Sequence, residues 1–170
     1  MTADLHSLSF PGALLARGFW LYVWEIVTSD GTHLFYVGRT GDEASAHAQS
    51  PFSRVSQHLG SNKNANALRR ILLRREISIS DCSFEMVAFG PIFPEAGTWE
   101  KHKPHRDQLA GLEKALRDAL ADAGYDVLNE IRCKRELNVE LWGEIRAVFS
   151  ARFPKLNGKA LAATTENISR

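Results

Sequence analysis

The run DQLAGLEKALRDALADAG, residues 107–124, carries a carboxylate in an awkward place. Turning about 100° per residue from Leu109 puts Leu116, Leu120 and Ala123 within about 40° of it and Leu112 about 60° away, the apolar stripe of a helix. Glu113 falls about 40° from Leu109, at the border of that stripe, whereas Lys114 and Asp118 point to solvent. A half-desolvated carboxylate is costly unless something positive meets it. Three partners are open: a metal ion, an arginine from another element, or Arg117 one turn along as an i, i+4 pair. Between Arg39 and Arg75 stand seven cations, Arg39, Arg54, Lys63, Arg69, Arg70, Arg74 and Arg75, against Asp42 and Glu43, a local excess of five on a chain whose net charge is +1. That is a footprint a polyanion could use, or a solvated helix face.

The elements that must position these groups follow from pattern. FWLYVWEIVTSDGTHLFYVGRTGD, residues 19–42, holds two apolar runs around Asp30-Gly31, a strong hairpin signal. Taken alone, Tyr22 and Tyr36 are half-buried strand aromatics. Ser50 can cap, and Pro51 can open, a helix from Pro51 to Leu59. Its period places Phe52, Val55 and Leu59 on one side and Arg54 with His58 on the other. A second helix is expected over Ala65 to Glu76 with Leu68, Ile71 and Leu72 inward. A third strand, SFEMVAFG, precedes PIFPEAGTWEKHKP, which reads as a loop. A long helix then runs from His105 to Ala123, ending at Gly124. Asn129, flanked by Val127, Leu128 and Ile131, either satisfies its amide in an apolar setting or forms a turn. The last amphipathic helix, Val139 to Phe153, presents Leu141, Trp142, Ile145, Val148 and Phe149, to complete the core or to meet a second copy.

Size and composition bound the function. A chain of 170 residues suits one domain with its own core. Cys82 and Cys133 form neither a CxxC pair nor a disulfide framework, which points to a reducing, cytoplasmic setting. No zinc-ligand spacing is present. No export signal is read at the amino terminus, and no segment approaches the roughly 20 apolar residues that cross a bilayer.

In order along the chain stand LYV with Tyr22, FYVGRT with Tyr36, Gly38 and Arg39, FSRVSQH with Arg54 and His58, the strand FEMVAFG, Glu113 on its helix, and Asn129. This ordered set resembles the GIY-YIG nuclease family from Phe19 to Ile131, although Trp20 stands at the family's first glycine and residues 41–50 lengthen the link to the arginine helix. The resemblance implies an α/β (α+β) fold: a small, three-stranded, mainly antiparallel sheet flanked by helices, here with an additional C-terminal helix. Residues 1–18 would be an extension, 19–135 the nuclease-like domain, 136–156 the packed C-terminal helix and 157–170 a flexible tail.

The resemblance also implies an activity, metal-dependent hydrolysis of phosphodiester bonds in DNA. Glu113 would hold one Mg²⁺ or Mn²⁺, an ion that keeps several waters and accepts a single carboxylate. Arg54 would stabilise charge on the phosphate, and Tyr22 would act as general base or position the water, with His58 as its rival. Tyr36 would hold the geometry, and Gly38 and Asn129 would be structural. The phosphate backbone would meet Arg39 and the basic helix bearing Lys63, Arg69, Arg70 and Arg74. A homodimer would suit double-strand cleavage. The alternatives are a nucleic-acid-binding module that keeps the fold without cleavage, and an α/β domain whose basic helix is solvated surface.

Overall fold

The Asp30-Gly31 turn folds the two apolar runs into an antiparallel pair, β1 (Phe19–Val27) and β2 (His33–Arg39). Gly31 supplies the positive φ of 82°, and the Asp30 carboxylate accepts from the Thr32 amide at 3.1 Å. The structure is a computed structural model that describes residues 4–42, 45–60 and 66–158. Strand β3 (Ser83–Phe93) pairs antiparallel with the other side of β1, so the three-stranded sheet has the order β2-β1-β3. Helices α1 (Pro51–Leu59) and α2 (Ala67–Arg74) cover one face, and α3 (Trp99–Asp122) and α4 (Val139–Arg152) the other. The fold is α+β.

Being central and covered on both faces, β1 is buried from Phe19 through Trp24, which is why its sequence is continuously apolar rather than alternating. Phe19, Leu21 and Val23 point toward α3 and α4, packing with Leu109, Leu112, Leu116 and Leu120 and with Ile145 and Phe149. Tyr22, Trp24 and Ile26 point the other way, onto Leu68 and Leu72 of α2. Full burial of each α3 leucine contributes about 2 kcal/mol. The C-terminal helix thus completes the core. Val148 stays exposed on it, and the helix ends at Arg152, one residue before the expected Phe153.

The bounds of three further elements differ from expectation. The long helix starts at Trp99, not His105, and carries Pro104 inside it. Proline lacks a donor and argues for a helix start, but Trp99 stacks on His102, and the buried His102 ring donates from Nε2 to the Gly41 carbonyl at 3.1 Å, which holds the first turns in place. The segment beginning at Pro91 is not all loop either, because β3 continues to Phe93 opposite Phe19. On α1, Pro51, Arg54 and His58 are buried and Val55 and Leu59 pack half-buried against the sheet, whereas Phe52 is exposed beside the ring of Phe10, 4.5 Å away. α2 runs from Ala67 to Arg74, shorter than the Ala65–Glu76 reading, whose first residue lies outside the described residues.

The outer border of β2 is closed by the segment after α3. The Phe35 amide donates to Asp126 and the Leu128 amide to Phe35, at 2.9 and 2.7 Å. The Asn129 side chain then imitates one more strand residue, accepting from the Val37 amide at 3.0 Å and donating to the Val37 carbonyl at 2.8 Å. Asn129→Leu would remove both bonds and leave the Val37 groups without partners. A loss of about 2 kcal/mol in the urea-denaturation free energy is expected.

No helix among the described residues is long and apolar enough to cross a membrane.

Candidate active site

The pairing register of the hairpin explains Gly38. It lies directly opposite Tyr22, and a Cβ at Gly38 would sit 2.6 Å from the Tyr22 hydroxyl. Only glycine lets the phenol take this position. Tyr36, opposite Trp24, shares that face of the sheet. The inward side of α1 brings His58 between the two phenols, its ring centroid 5.6 Å from Tyr22 and 5.1 Å from Tyr36, both edge-on. The Tyr22 hydroxyl and His58 Nε2 are 2.6 Å apart, and the more acidic phenol donates to the imidazole nitrogen.

Neither group is charged at neutral pH. Burial drives the Tyr22 pKa well above its ordinary value of 10.0, outweighing the nearby Arg54 and Arg39 guanidinium groups. Tyr36 is pushed up to about 12, by burial first and then by the Glu113 carboxylate. His58 is pushed down to about 4, by burial and then by Arg54. The His58 shift has a signed consequence for stability. The unfolded chain takes a proton on this histidine near pH 6.5 and the folded one does not until about pH 4. Stability is therefore full above pH 6.5 and falls as pH drops toward 4, by about 3 kcal/mol through this group. Urea titrations across that window should show the decline, and His58→Gln should flatten it.

Arg54 is the charge that reaches every other member. Its field acts on Tyr22, Tyr36, His58 and Glu113 alike. The side chain is almost fully buried, gives Nη1 to Gln57 at 2.7 Å, and pairs through Nη2 with Asp42. Glu113 approaches from α3 on the opposite layer. Its partner is Arg39 at the end of β2, with Nε to Oε2 at 2.9 Å, so the open question about this carboxylate is answered by an arginine from another element. Arg117 instead donates to the Asn129 carbonyl at 2.8 Å and pairs with Asp118. Burial raises the Glu113 pKa, while Arg39 and then Arg54 pull it back.

Glu113 and Arg39 line an open cleft of about 520 Å³ together with Asp42, Arg106 and Asp107. Among the described residues no cluster of three or more histidines, cysteines or carboxylates forms a metal cage. The chemistry of Glu113 nevertheless suits a divalent ion. It is a desolvated carboxylate at the wall of an open cleft, with one oxygen committed to Arg39, and Mg²⁺ needs few protein ligands because it retains its waters.

Not every sequence candidate joins this constellation. On α2, Arg69 is tied to the Leu59 carbonyl at 3.2 Å and binds the two helices together. Arg70 and Arg74 are exposed, and Arg70 acts electrostatically on Tyr36. Lys63 lies outside the described residues. Asp42 and Arg106 were missed as site residues. Asp42 carried no signal beyond its subtraction from the local charge, and Arg106 none beyond its place at the expected start of the long helix.

No protein-family model, curated protein or solved structure matches the chain.

Proposed function

We propose that the protein is a metal-dependent endonuclease of GIY-YIG type that hydrolyses phosphodiester bonds in DNA. The observation that carries the reading is a convergence of side chains from four elements: the Tyr22 hydroxyl meets His58 Nε2 at 2.6 Å beside the Tyr36 ring, the buried Arg54 shares the inward side of α1 with His58, and its partner Asp42 lines one cleft with Glu113. Each has a task in the attack of water on phosphate. Arg54 offers a planar fork of donors to the non-bridging oxygens, where charge gathers in the transition state. Glu113 would hold the Mg²⁺ or Mn²⁺, and the bound ion supplies charge stabilisation at the leaving oxygen. Tyr22 positions the attacking water through its hydroxyl oxygen. A proton accepted there can pass on along the hydrogen bond to His58, whose neutral state leaves Nε2 free to take it. Tyr36 packs against the imidazole and keeps it facing Tyr22.

The second reading, a nucleic-acid-binding module without cleavage, is favoured by one observation: both charged members are already paired, Arg54 with Asp42 and Glu113 with Arg39. On the nuclease reading phosphate would take the Arg54 fork from Asp42, and Glu113 would offer a divalent ion the oxygen that Arg39 does not hold. Incubation of the protein with supercoiled plasmid and Mg²⁺ or Mn²⁺, beside a Glu113→Gln control, separates the two readings. Cleavage in the wild type alone supports the enzyme, and binding without cleavage supports the module. DNA as the polymer, a cytoplasmic setting and a homodimeric state belong to the same proposal.

A further inference from the structure

The cleft beside Glu113 has a second wall that the α2 footprint does not use. Residues 131–135, IRCKR, cross α3 as a strap in which Ile131 and Cys133 are half-buried and Arg132, Lys134 and Arg135 are exposed, the period-two alternation of an extended chain. The strap lies close on the helix. Gly111 is buried in the middle of α3, where glycine costs about 1 kcal/mol relative to alanine. A Cβ at Gly111 would sit 2.9 Å from the Glu136 carbonyl and 3.6 Å from that of Arg135. The glycine is explained by this approach. Arg132, Lys134 and Arg135 face Arg39, Arg106 and Glu113 across the same cleft. Asp107 stands between the walls and is shared by three cations: Lys103, Arg106 and Arg135, at 3.6, 3.1 and 3.5 Å. Five cations line the cleft, Arg39, Arg106, Arg132, Lys134 and Arg135, against three carboxylates, Asp42, Asp107 and Glu113, so the walls remain positive. On α2, Arg69 is spent on Leu59 and Arg75, just past the helix, pairs with Asp126, which leaves Arg70 and Arg74 as the exposed cations there.

We propose that the strap is a phosphate track: Arg132, Lys134 and Arg135, with Arg39 and Arg106 opposite, grip the sugar-phosphate backbone of a nucleic-acid strand and lead it to Glu113. The proposal rests on the nuclease reading and relocates its principal backbone contacts from α2 to the strap. Such contacts position a strand without reading its sequence, and each releases counterions.

The test is the salt dependence of binding by the full-length protein to a labelled DNA duplex in EDTA, where no cleavage intervenes, from about 50 to 200 mM salt. Each lost phosphate contact should flatten the slope of log Kobs against log salt by about 0.9. R132Q/K134Q/R135Q is expected to flatten it by two units or more and to weaken low-salt binding at least tenfold. R132Q/K134Q, which keeps the Arg135 pair with Asp107, should flatten it by about two and serves if the triple variant does not fold. R70Q/R74Q should change it less than either. A strap variant with the wild-type slope, or a larger effect from R70Q/R74Q, overturns the track and leaves the nuclease reading standing. A wild type that binds no DNA overturns both.

Discussion

Glu113→Gln is expected to lower plasmid cleavage about a thousandfold at saturating Mg²⁺. The substitution is nearly isosteric, and the amide oxygen still accepts from Arg39 Nε, so the pairing between β2 and α3 survives in geometry. What disappears is the buried negative charge at the wall of the cleft, and with it the proposed ligand of the divalent ion; Asp42 and Asp107, which also line the cleft, remain. Because burial already makes this charge costly, as its raised pKa records, the loss in folding stability should stay within about 2 kcal/mol. Metal-free DNA binding should hold or tighten, since a carboxylate is removed from the proposed phosphate site. Loss of cleavage with retained binding and a normal melting transition is the expected pattern. Cleavage undiminished in this variant removes Glu113 from the proposed chemistry.

The second large effect is at Arg54. Arg54→Lys keeps the charge but replaces a planar fork with a point charge, and kcat should fall about a hundredfold while KM changes little. Arg54→Ala should fall further and should also disturb the resting site, because Asp42 and Gln57 lose their shared partner. A readout independent of activity follows from the field. Burial first and then Arg54 hold the His58 pKa down, so removing the guanidinium should move the His58 titration, followed by NMR, part of the way from about 4 toward its ordinary value of 6.5. A lysine variant with wild-type turnover would show that the fork is not used on phosphate.

Much of the framework was legible because short-range chemistry dictates it. Asp30-Gly31 specifies the hairpin, and with the register set, Tyr22 must oppose Gly38. Ser50 accepts from the Ser53 amide at 3.2 Å with Pro51 in the first turn, as the capping pattern requires. The helical period placed Glu113 at the margin of the leucine stripe, where it now meets Arg39. Other features depend on contacts distant in sequence. The helical period separates Phe52, Val55 and Leu59 from Arg54 and His58, but that α1 buries Arg54 and His58 depends on the tyrosines of the sheet, where the Tyr22 hydroxyl meets His58. Pro104 argues for a helix start, and the packing of Trp99 on His102 overrides it. The pairing of Asp42 with Arg54 joins a loop to a helix and has no local pattern at all.

The Asn129 amide has a consequence for how copies of this chain can meet. By occupying the amide and carbonyl of Val37, and with Asp126 and Leu128 holding Phe35, it ends sheet growth along that border. Among the described residues, continuation of the sheet into a neighbouring molecule is left to β3 alone. There Pro91 interrupts the row of donors, a substitution edge strands commonly use to discourage such docking. Self-association of this molecule should therefore proceed through its helical layers and not by strand addition.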